Sequence, residues 1–313
     1  MYAYIARRLI TTLPVMLLVA LIVFFMLRLA PGDPAALVAG DEATTEQLEL
    51  IRQSMGLDKP IYIQFMIWLG NLVRGDLGVS FLSGTSVYDM IKGRISPTLI
   101  ICAATISVSI LVAVPLGIIA AWRQGGWTDR GVMAFSVLGF SVPNFIIGYV
   151  LIYFVSLKLG WLPVQGYKPP SAGLVPFLKS ITLPVLVLST VYVALIARIT
   201  RSSVIEVMGE DFIRTARAKG LREHLVFLRH GLRNAAIPII TIIGIGVAAL
   251  IGGVVVTESV FNLPGLGRLV VEAVLARDFP VVQGLILLFS FTYIIINLVV
   301  DILYTVFDPR IRY

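Results

Sequence analysis

Long apolar runs separated by short polar segments dominate the chain. Six runs are long enough to cross the roughly 30 Å hydrocarbon of a bilayer as helices. They are the opening stretch to Leu29, then residues 97–121, 131–157, 182–200, 237–257 and 281–304. Unpaired backbone cannot face lipid, and none of the runs shows the alternating ten-residue pattern of a membrane barrel. The pattern therefore predicts an all-α membrane protein with six transmembrane helices. The first run follows a charged opening, as a secretory signal does, but it is longer than a signal core. Pro31-Gly32-Asp33-Pro34 does not resemble a small-x-small cleavage site. An uncleaved first span is expected.

The polar segment 31–96 reads as a small helical cap. Thr44 and Gln47 have capping-box spacing, Leu48, Ile51 and Met55 form an apolar stripe, and Gly56 is placed to end that helix. A second short helix is expected from Ile61 to Arg74, followed by a turn at Gly75-Asp76-Leu77-Gly78. Packing over its own bundle is the default role of this cap.

Charge placement orients the chain. With both termini inside, the inside segments carry fourteen basic residues, among them Arg123, Arg130, Arg198, Arg201, Arg214, Arg217, Lys219 and Arg222, against six acidic ones. The outside segments carry ten basic and eleven acidic residues. Basic residues accumulate on the cytoplasmic side, so cytoplasmic termini are expected, with the cap outside and the central loop inside. Arg28, at the outer end of the first span, is read as snorkelling to the interface.

Of the 313 residues, 58% are hydrophobic and 14% charged, where a soluble domain carries about 25% charged. The net charge of +7 resides between apolar runs rather than in a soluble basic patch, which argues against nucleic acid. Cys102 is the one cysteine, so an intrachain disulfide and a cysteine metal cluster are both excluded. His224 and His230 lack a zinc-like pattern, and no metal site is expected. Without a Gly-x4-Gly-Lys-Ser/Thr phosphate cradle, the chain is not expected to hydrolyse ATP or to bind a cofactor.

Several residues within the spans are candidates for chemistry. Pro143-Asn144 should kink the third span and free a carbonyl, with Tyr149 and Tyr153 one turn apart beyond it. Asn297 and Asp301 share a face near the inner end of the sixth. These six are the candidate pathway-lining residues, although Asp301 is read first as structural. Gly244, Ala248 and Gly252 form a small-residue stripe suited to close helix packing.

The central loop carries the strongest local pattern. Asp211, Phe212, Ile213, Arg214, Thr215, Ala216, Arg217, Ala218, Lys219, Gly220 and Leu221 open with acid, close with base and end on glycine. This reads as a short helix with a forced turn, suited to docking in a partner's groove. Ala216 and Gly220 are expected to need small side chains, Ala216 to fit that groove.

Here the sequence resembles the membrane subunits of binding-protein-dependent ABC importers, specifically the dipeptide, oligopeptide, nickel and glutathione permease family. Matching pieces are Pro31-Gly32-Asp33-Pro34, Gly56-Leu57-Asp58-Lys59-Pro60, Gly75-Asp76-Leu77-Gly78, Ser96-Pro97-Thr98-Leu99, Arg214 through Gly220, Phe261-Asn262-Leu263-Pro264-Gly265-Leu266-Gly267 and Asp308-Pro309-Arg310-Ile311-Arg312-Tyr313. In such importers a Glu-Ala-Ala-x3-Gly motif followed by Ile-x-Leu-Pro forms the helix that docks on the ATPase. Ala216, Gly220 and Leu232 match it, while Arg214, Thr215, His230 and Arg233 replace the Glu, first Ala, Ile and Pro. The Thr-Ala-Arg-Ala-Lys-Gly form resembles the first of the two peptide-permease subunits.

The resemblance implies the type I importer permease architecture in a bacterial inner membrane. Residues 1–30 would be the first transmembrane helix, 31–96 the extracytoplasmic cap and 97–304 the shared five-helix transmembrane domain. The coupling loop would span 201–236 and the cytoplasmic tail 305–313. Implied partners are a homologous second permease subunit, two ATP-binding subunits that hold ATP and Mg, and an extracytoplasmic solute-binding protein. The implied cargo is a di- or oligopeptide, glutathione or a related small solute. A competing reading, an ion-coupled secondary transporter, would need buried carboxylates or broken helices in repeated halves, and no convincing repeat is found. A membrane enzyme is disfavoured because no nucleophile, base and orienting group gather.

Overall fold

A computed structural model describes residues 2–29, 34–39, 43–54 and 56–307. Backbone groups in apolar segments can be satisfied only within their own helix, and the described residues are accordingly helical almost throughout. In chain order the helices are α1 (Tyr2–Leu29), α2 (Pro34–Ala39), α3 (Thr45–Ser54), α4 (Ile61–Val73), α5 (Val87–Trp122), α6 (Trp127–Ser141) and α7 (Asn144–Leu151). They continue with α8 (Leu174–Met208), α9 (Asp211–Ala218), α10 (Glu223–Leu225), α11 (Arg233–Val260), α12 (Leu266–Leu275) and α13 (Phe279–Phe307). A π-helical stretch, Ile152–Lys158, extends α7, and a second, Val226–Leu232, joins α10 to α11.

Four apolar helices are long enough to span a bilayer: Val87–Trp122, Leu174–Met208, Glu223–Val260 and Phe279–Ile302. Trp127–Ser141 and Asn144–Lys158 form a fifth if the two are one span, because they meet at a bend of 101°. The kink expected at Pro143 is thus a full break. In α1 the apolar stretch is Ile10–Met26. α5 and α8 begin ten and eight residues before the runs that announced them; the added turns of α5 carry Asp89, Lys92 and Arg94, and those of α8 carry Pro176 and Lys179.

The chain divides into two compact units. The first comprises residues 1–96 and 269–294, the second residues 97–268 and 295–313. In the first, the Thr44–Gln47 capping box forms as read: Thr44 N–H donates to Gln47 Oε1 at 3.0 Å and Gln47 N–H to Thr44 Oγ1 at 3.3 Å. Gly56 follows at φ 66°, and the Leu57 N–H returns to the Arg52 carbonyl at 2.9 Å. That 6→1 bond with a left-handed glycine is the Schellman ending. Met55, the last residue of the expected stripe, lies outside the described residues. Gly75 and Gly78 both adopt positive φ, and the Gly78 N–H donates to Asp76 Oδ1 at 2.8 Å, so the expected turn is present. Phe24 packs edge-on against Phe65, with ring centroids 5.2 Å apart, and the Trp68 ring lies 5.6 Å from Phe24 at a tilt of 45°. Buried Asp278 accepts from the Ser80 hydroxyl and from the Phe81 N–H at 3.1 Å, and Arg94 pairs with Glu272 at 2.7 Å.

The second unit is organised around α8, whose buried face runs almost its whole length. Ile181, Leu183, Val187 and Leu188 pack with Ile101, Val254, Phe261 and Leu263. Tyr192, Val193, Ile196 and Ala197 pack with Ala113, Ala120, Val132 and Leu250. Close approach depends on small residues. A Cβ at Gly117 would meet the Ala197 carbonyl and Thr200 Cβ at 2.6 Å, and one at Gly139 would meet Ala194 Cβ at 2.9 Å. Dispersion and interlocking hold such faces together in lipid, where burial alone gives helices little reason to associate. Of the expected small-residue stripe, Gly244 sits against Val300 while Gly252 faces open space.

Candidate functional site

The central loop forms a helix, a hydrophobic anchor and a stop. α9 begins after Glu210, carries Asp211 in its first turn and Arg217 in its last, and so places each charge favourably against the helix dipole. Ile213 is 0% exposed and Ala216 6%, and with Val226 and Met208 they form a small core. Burial of that isoleucine alone contributes about 2 kcal/mol. Ala216 therefore points into its own chain rather than toward a partner, and its small size is explained by the Val226 contact. The opposite face presents Asp211, Phe212, Arg214, Thr215, Arg217, Ala218 and Lys219 to solvent, with Phe212 42% exposed.

Gly220 has φ 75°, in the left-handed region that a β-branched residue avoids, and its N–H donates to the Arg217 carbonyl at 2.9 Å. Exposed Leu221 follows, its N–H reaching the Ala216 carbonyl at 3.4 Å. Arg217 then pairs with Glu223 at 3.1 Å, which raises the guanidinium pKa above its ordinary value and ties α9 to α10.

From this core the π-helical stretch leads back into the bundle. Phe227 meets the Trp122 ring edge-on with centroids 4.9 Å apart, and it packs with Val204, Ala235 and Ile239. Gly231 passes the end of α8 so closely that a Cβ would sit 2.8 Å from Met208 Sδ. Sequence reasoning missed this stretch, because nothing in a hydropathy pattern distinguishes a five-residue hydrogen-bond step from a four-residue one. A π-helical turn carries one residue more than the α-helix and is a recurring site of function.

A second tie joins α6 to α8. Buried Asp129 holds Arg201 in a two-pronged ion pair, with Nη2 2.7 Å from Oδ2, and accepts the Gly125 N–H at 2.9 Å. A planar guanidinium matches a carboxylate in this way, and the pair locks the short α5–α6 turn to the end of α8 that leads into α9. The signal was available in the opposite charges at adjoining ends of two predicted spans.

At the break between α6 and α7, Pro143 has no N–H to offer the Gly139 carbonyl, while the Val142 N–H still reaches Leu138 at 3.1 Å. Asn144 opens α7 with a buried Oδ1 that has no hydrogen-bond partner among the described residues. Tyr149 and Tyr153 lie on the exposed face beyond it, and Lys158 Nζ stands 5.5 Å from the Tyr153 ring. Asn297 and Asp301 are half-buried on α13, one turn apart. Among the candidate pathway residues, Pro143, Asn144, Tyr149 and Tyr153 thus lie at or just beyond the α6–α7 break, and the Asn297–Asp301 pair stands on a separate helix.

One buried acid escaped the sequence reading. Glu258 is 0% exposed at the end of α11. Its carboxylate accepts the Thr98 hydroxyl at 2.6 Å and the Arg268 N–H at 3.0 Å, while Thr98 Oγ1 accepts the Leu266 N–H at 2.8 Å. The chain from Phe261 to Gly267 wraps this acid. A Cβ at Gly265 would overlap its carboxylate, and one at Gly267 would lie 2.6 Å from Val255 Cα. Asn262 supplies the left-handed turn at φ 51°. The glycines of this motif are required by the close approach, and an acid followed by Pro-Gly-x-Gly was the available signal.

Elsewhere, the first unit contains a cavity of about 770 Å³ whose lining includes Phe24, Lys59, Trp68, Asn71, Asp76 and Gln283. No group of three or more His, Cys, Asp or Glu side chains among the described residues is placed to hold a metal ion.

Comparison with known proteins places this geometry. Over the full length of both chains, the sequence is 48% identical to the protein named Probable peptide ABC transporter permease protein y4tP, from Sinorhizobium fredii. It is 45% identical, again over both full lengths, to the Glutathione transport system permease protein GsiC of Escherichia coli. The fold matches a chain of the inward-facing MetNI methionine ABC transporter with a TM-score of 0.58 at 17% identity, covering 70% of this chain and 96% of that one. This is the type I importer permease architecture, and as in these relatives the chain is the permease component, with ATP hydrolysed by other subunits. Residues 1–102 match the family described as "Binding-prot-dependent transport system membrane comp, N-term". Residues 113–313 match "Binding-protein-dependent transport system inner membrane component", and the chain belongs to that family of ABC importer permeases.

Proposed function

We propose that this chain forms half of the translocation pathway of an ATP-driven importer for peptides or glutathione-like solutes, and that α9 is its mechanical link to the ATPase. The observation that carries the reading is the way α9 is mounted. Ile213 and Ala216 fix it to the chain's own core, leaving Phe212, Arg214, Thr215 and Lys219 for a partner's groove. A force on that exposed face passes through Val226 and Phe227 to the foot of α11 and to Trp122.

The solute class rests on the names carried by the full-length relatives. The assembly comprises a homologous second permease, two ATP-binding subunits with ATP and Mg, and an extracytoplasmic solute-binding protein. Both termini and loop 201–236 lie in the cytoplasm, 31–96 form the outer cap, and 97–304 form the transmembrane domain, consistent with the distribution of basic residues. Asn144, Tyr149 and Tyr153, beyond the Pro143 break, face the pathway, with Asn297 and Asp301 as secondary contributors. The test is binding of the ATPase subunits to Phe212→Ala and Lys219→Glu chains in nanodiscs. Weakened binding with unchanged insertion supports the link, and native binding by both variants contradicts it.

A further inference from the structure

The cavity in the first unit is built along one face of α4. Gln64, Trp68 and Asn71 are spaced four and three residues apart, so they share that face, and all three line the space of about 770 Å³. Hydrogen bonds fix its walls. The Gln64 amide donates to the Leu57 and Lys59 carbonyls at 3.2 and 2.7 Å, and the Gln283 amide donates to the Val23 carbonyl at 3.1 Å. Ser80 and Phe81, which also line the space, are both held by Asp278. A concave space of this size with pre-formed walls falls in the range of small-molecule sites.

Two opposite charges line it as well. Lys59 precedes α4 and is tied to Gln64 through its carbonyl, while Asp76 follows α4 and donates its N–H to the Asn71 carbonyl at 3.0 Å. Gln64 and Asn71 are seven residues apart, so these two attachment points stand about 10 Å apart along the helix axis. Lys59 has no carboxylate partner among the described residues, and Asp76 uses Oδ1 for the Gly78 N–H at 2.8 Å, which leaves Oδ2. Trp68 stands between the two attachment points on α4 and offers an apolar ring. An extended peptide of three residues spans about 10 Å and carries a carboxylate at one end and an ammonium at the other.

We propose that this cavity binds a short zwitterionic peptide of about three residues, with its carboxylate on Lys59, its ammonium on Asp76 and an apolar side chain against Trp68. The proposal rests on the peptide-importer reading above and deepens it, since it gives the cap a solute site of its own. Selectivity follows from the paired charges: a peptide blocked at either end leaves one of them without its counterpart.

The test is equilibrium binding of radiolabelled trialanine to the full chain in nanodiscs, without the solute-binding protein. Binding should be saturable, and Lys59→Gln and Asp76→Asn should each weaken it about tenfold, the loss of one charge-assisted contact. Lys59 is exposed, and asparagine keeps the Oδ1 acceptor that the Gly78 turn uses, so both variants should fold as the native chain does. Blocked peptides assign the ends. Trialanine amide should bind the native and Lys59→Gln chains equally, and N-acetyl-trialanine should bind the native and Asp76→Asn chains equally. Absence of trialanine binding by the native chain overturns the proposal, and so does binding that neither substitution weakens. A trialanine amide that still distinguishes native from Lys59→Gln also overturns it. The peptide-importer reading fails separately, if the complete importer in proteoliposomes accumulates neither trialanine nor glutathione; the binding measurement decides the cavity in either case.

Discussion

Glu258 and its surroundings set the strictest demands on single residues. Thr98 both donates to the carboxylate and accepts from the Leu266 N–H, so Thr98→Val takes one donor from the buried carboxylate and removes the acceptor of the Leu266 N–H. We expect a loss of about 2 kcal/mol, read as a lower Tm in detergent. Gly265→Ala should be worse, since its Cβ collides with the carboxylate. Gly252→Ala is the contrasting case: nothing lies within 4 Å of the added carbon, and alanine favours a helix by about 1 kcal/mol. A raised or unchanged Tm for Gly252→Ala beside a lowered one for Gly265→Ala checks the account, and equal losses would contradict it.

At the scale of elements, α9 and the α6–α8 tie behave differently under substitution. Ile213→Ala opens a cavity in a small core and should destabilise the loop by about 3 kcal/mol, whereas Phe212→Ala should leave Tm unchanged and weaken ATPase binding alone. Ala216→Trp should disturb the chain's own packing, and Gly220→Val should cost about 1 to 2 kcal/mol in backbone strain and misdirect the chain after the helix. Asp129→Asn removes half of a mostly buried pair and should cost about 3 kcal/mol, with recovery when Asp129 and Arg201 are exchanged. A doubly exchanged chain no more stable than Asp129→Asn would remove this tie from the account. Much of this architecture was legible in the sequence. Thr44, Gln47 and Gly56 announced a capped helix, and Pro143 announced the break, because those signals are local. The π-helical stretches, the inward direction of Ala216 and the partners of Asp129 and Glu258 depend on contacts distant in sequence. Glu258 meets Thr98 across 160 residues, and no periodicity encodes that meeting.

For the whole molecule, orientation and division of labour can be checked separately. On a Cys102→Ser background, single cysteines at Gln53 and Lys168 should react with an impermeant thiol reagent from outside intact cells, and one at Arg222 should not. Labelling at Arg222 would reverse the orientation. The isolated chain should hydrolyse no ATP above background, consistent with the absent phosphate cradle. The central claim is that this permease moves solute at the expense of ATP hydrolysed elsewhere, coupled through α9. Its most direct test is accumulation of labelled trialanine and glutathione by proteoliposomes holding the complete importer, with ATP supplied on the ATPase side and no ion gradient. The account predicts ATP-dependent uptake that is lost in the Gly220→Val chain, while uptake driven by a proton or sodium gradient without ATP would contradict it.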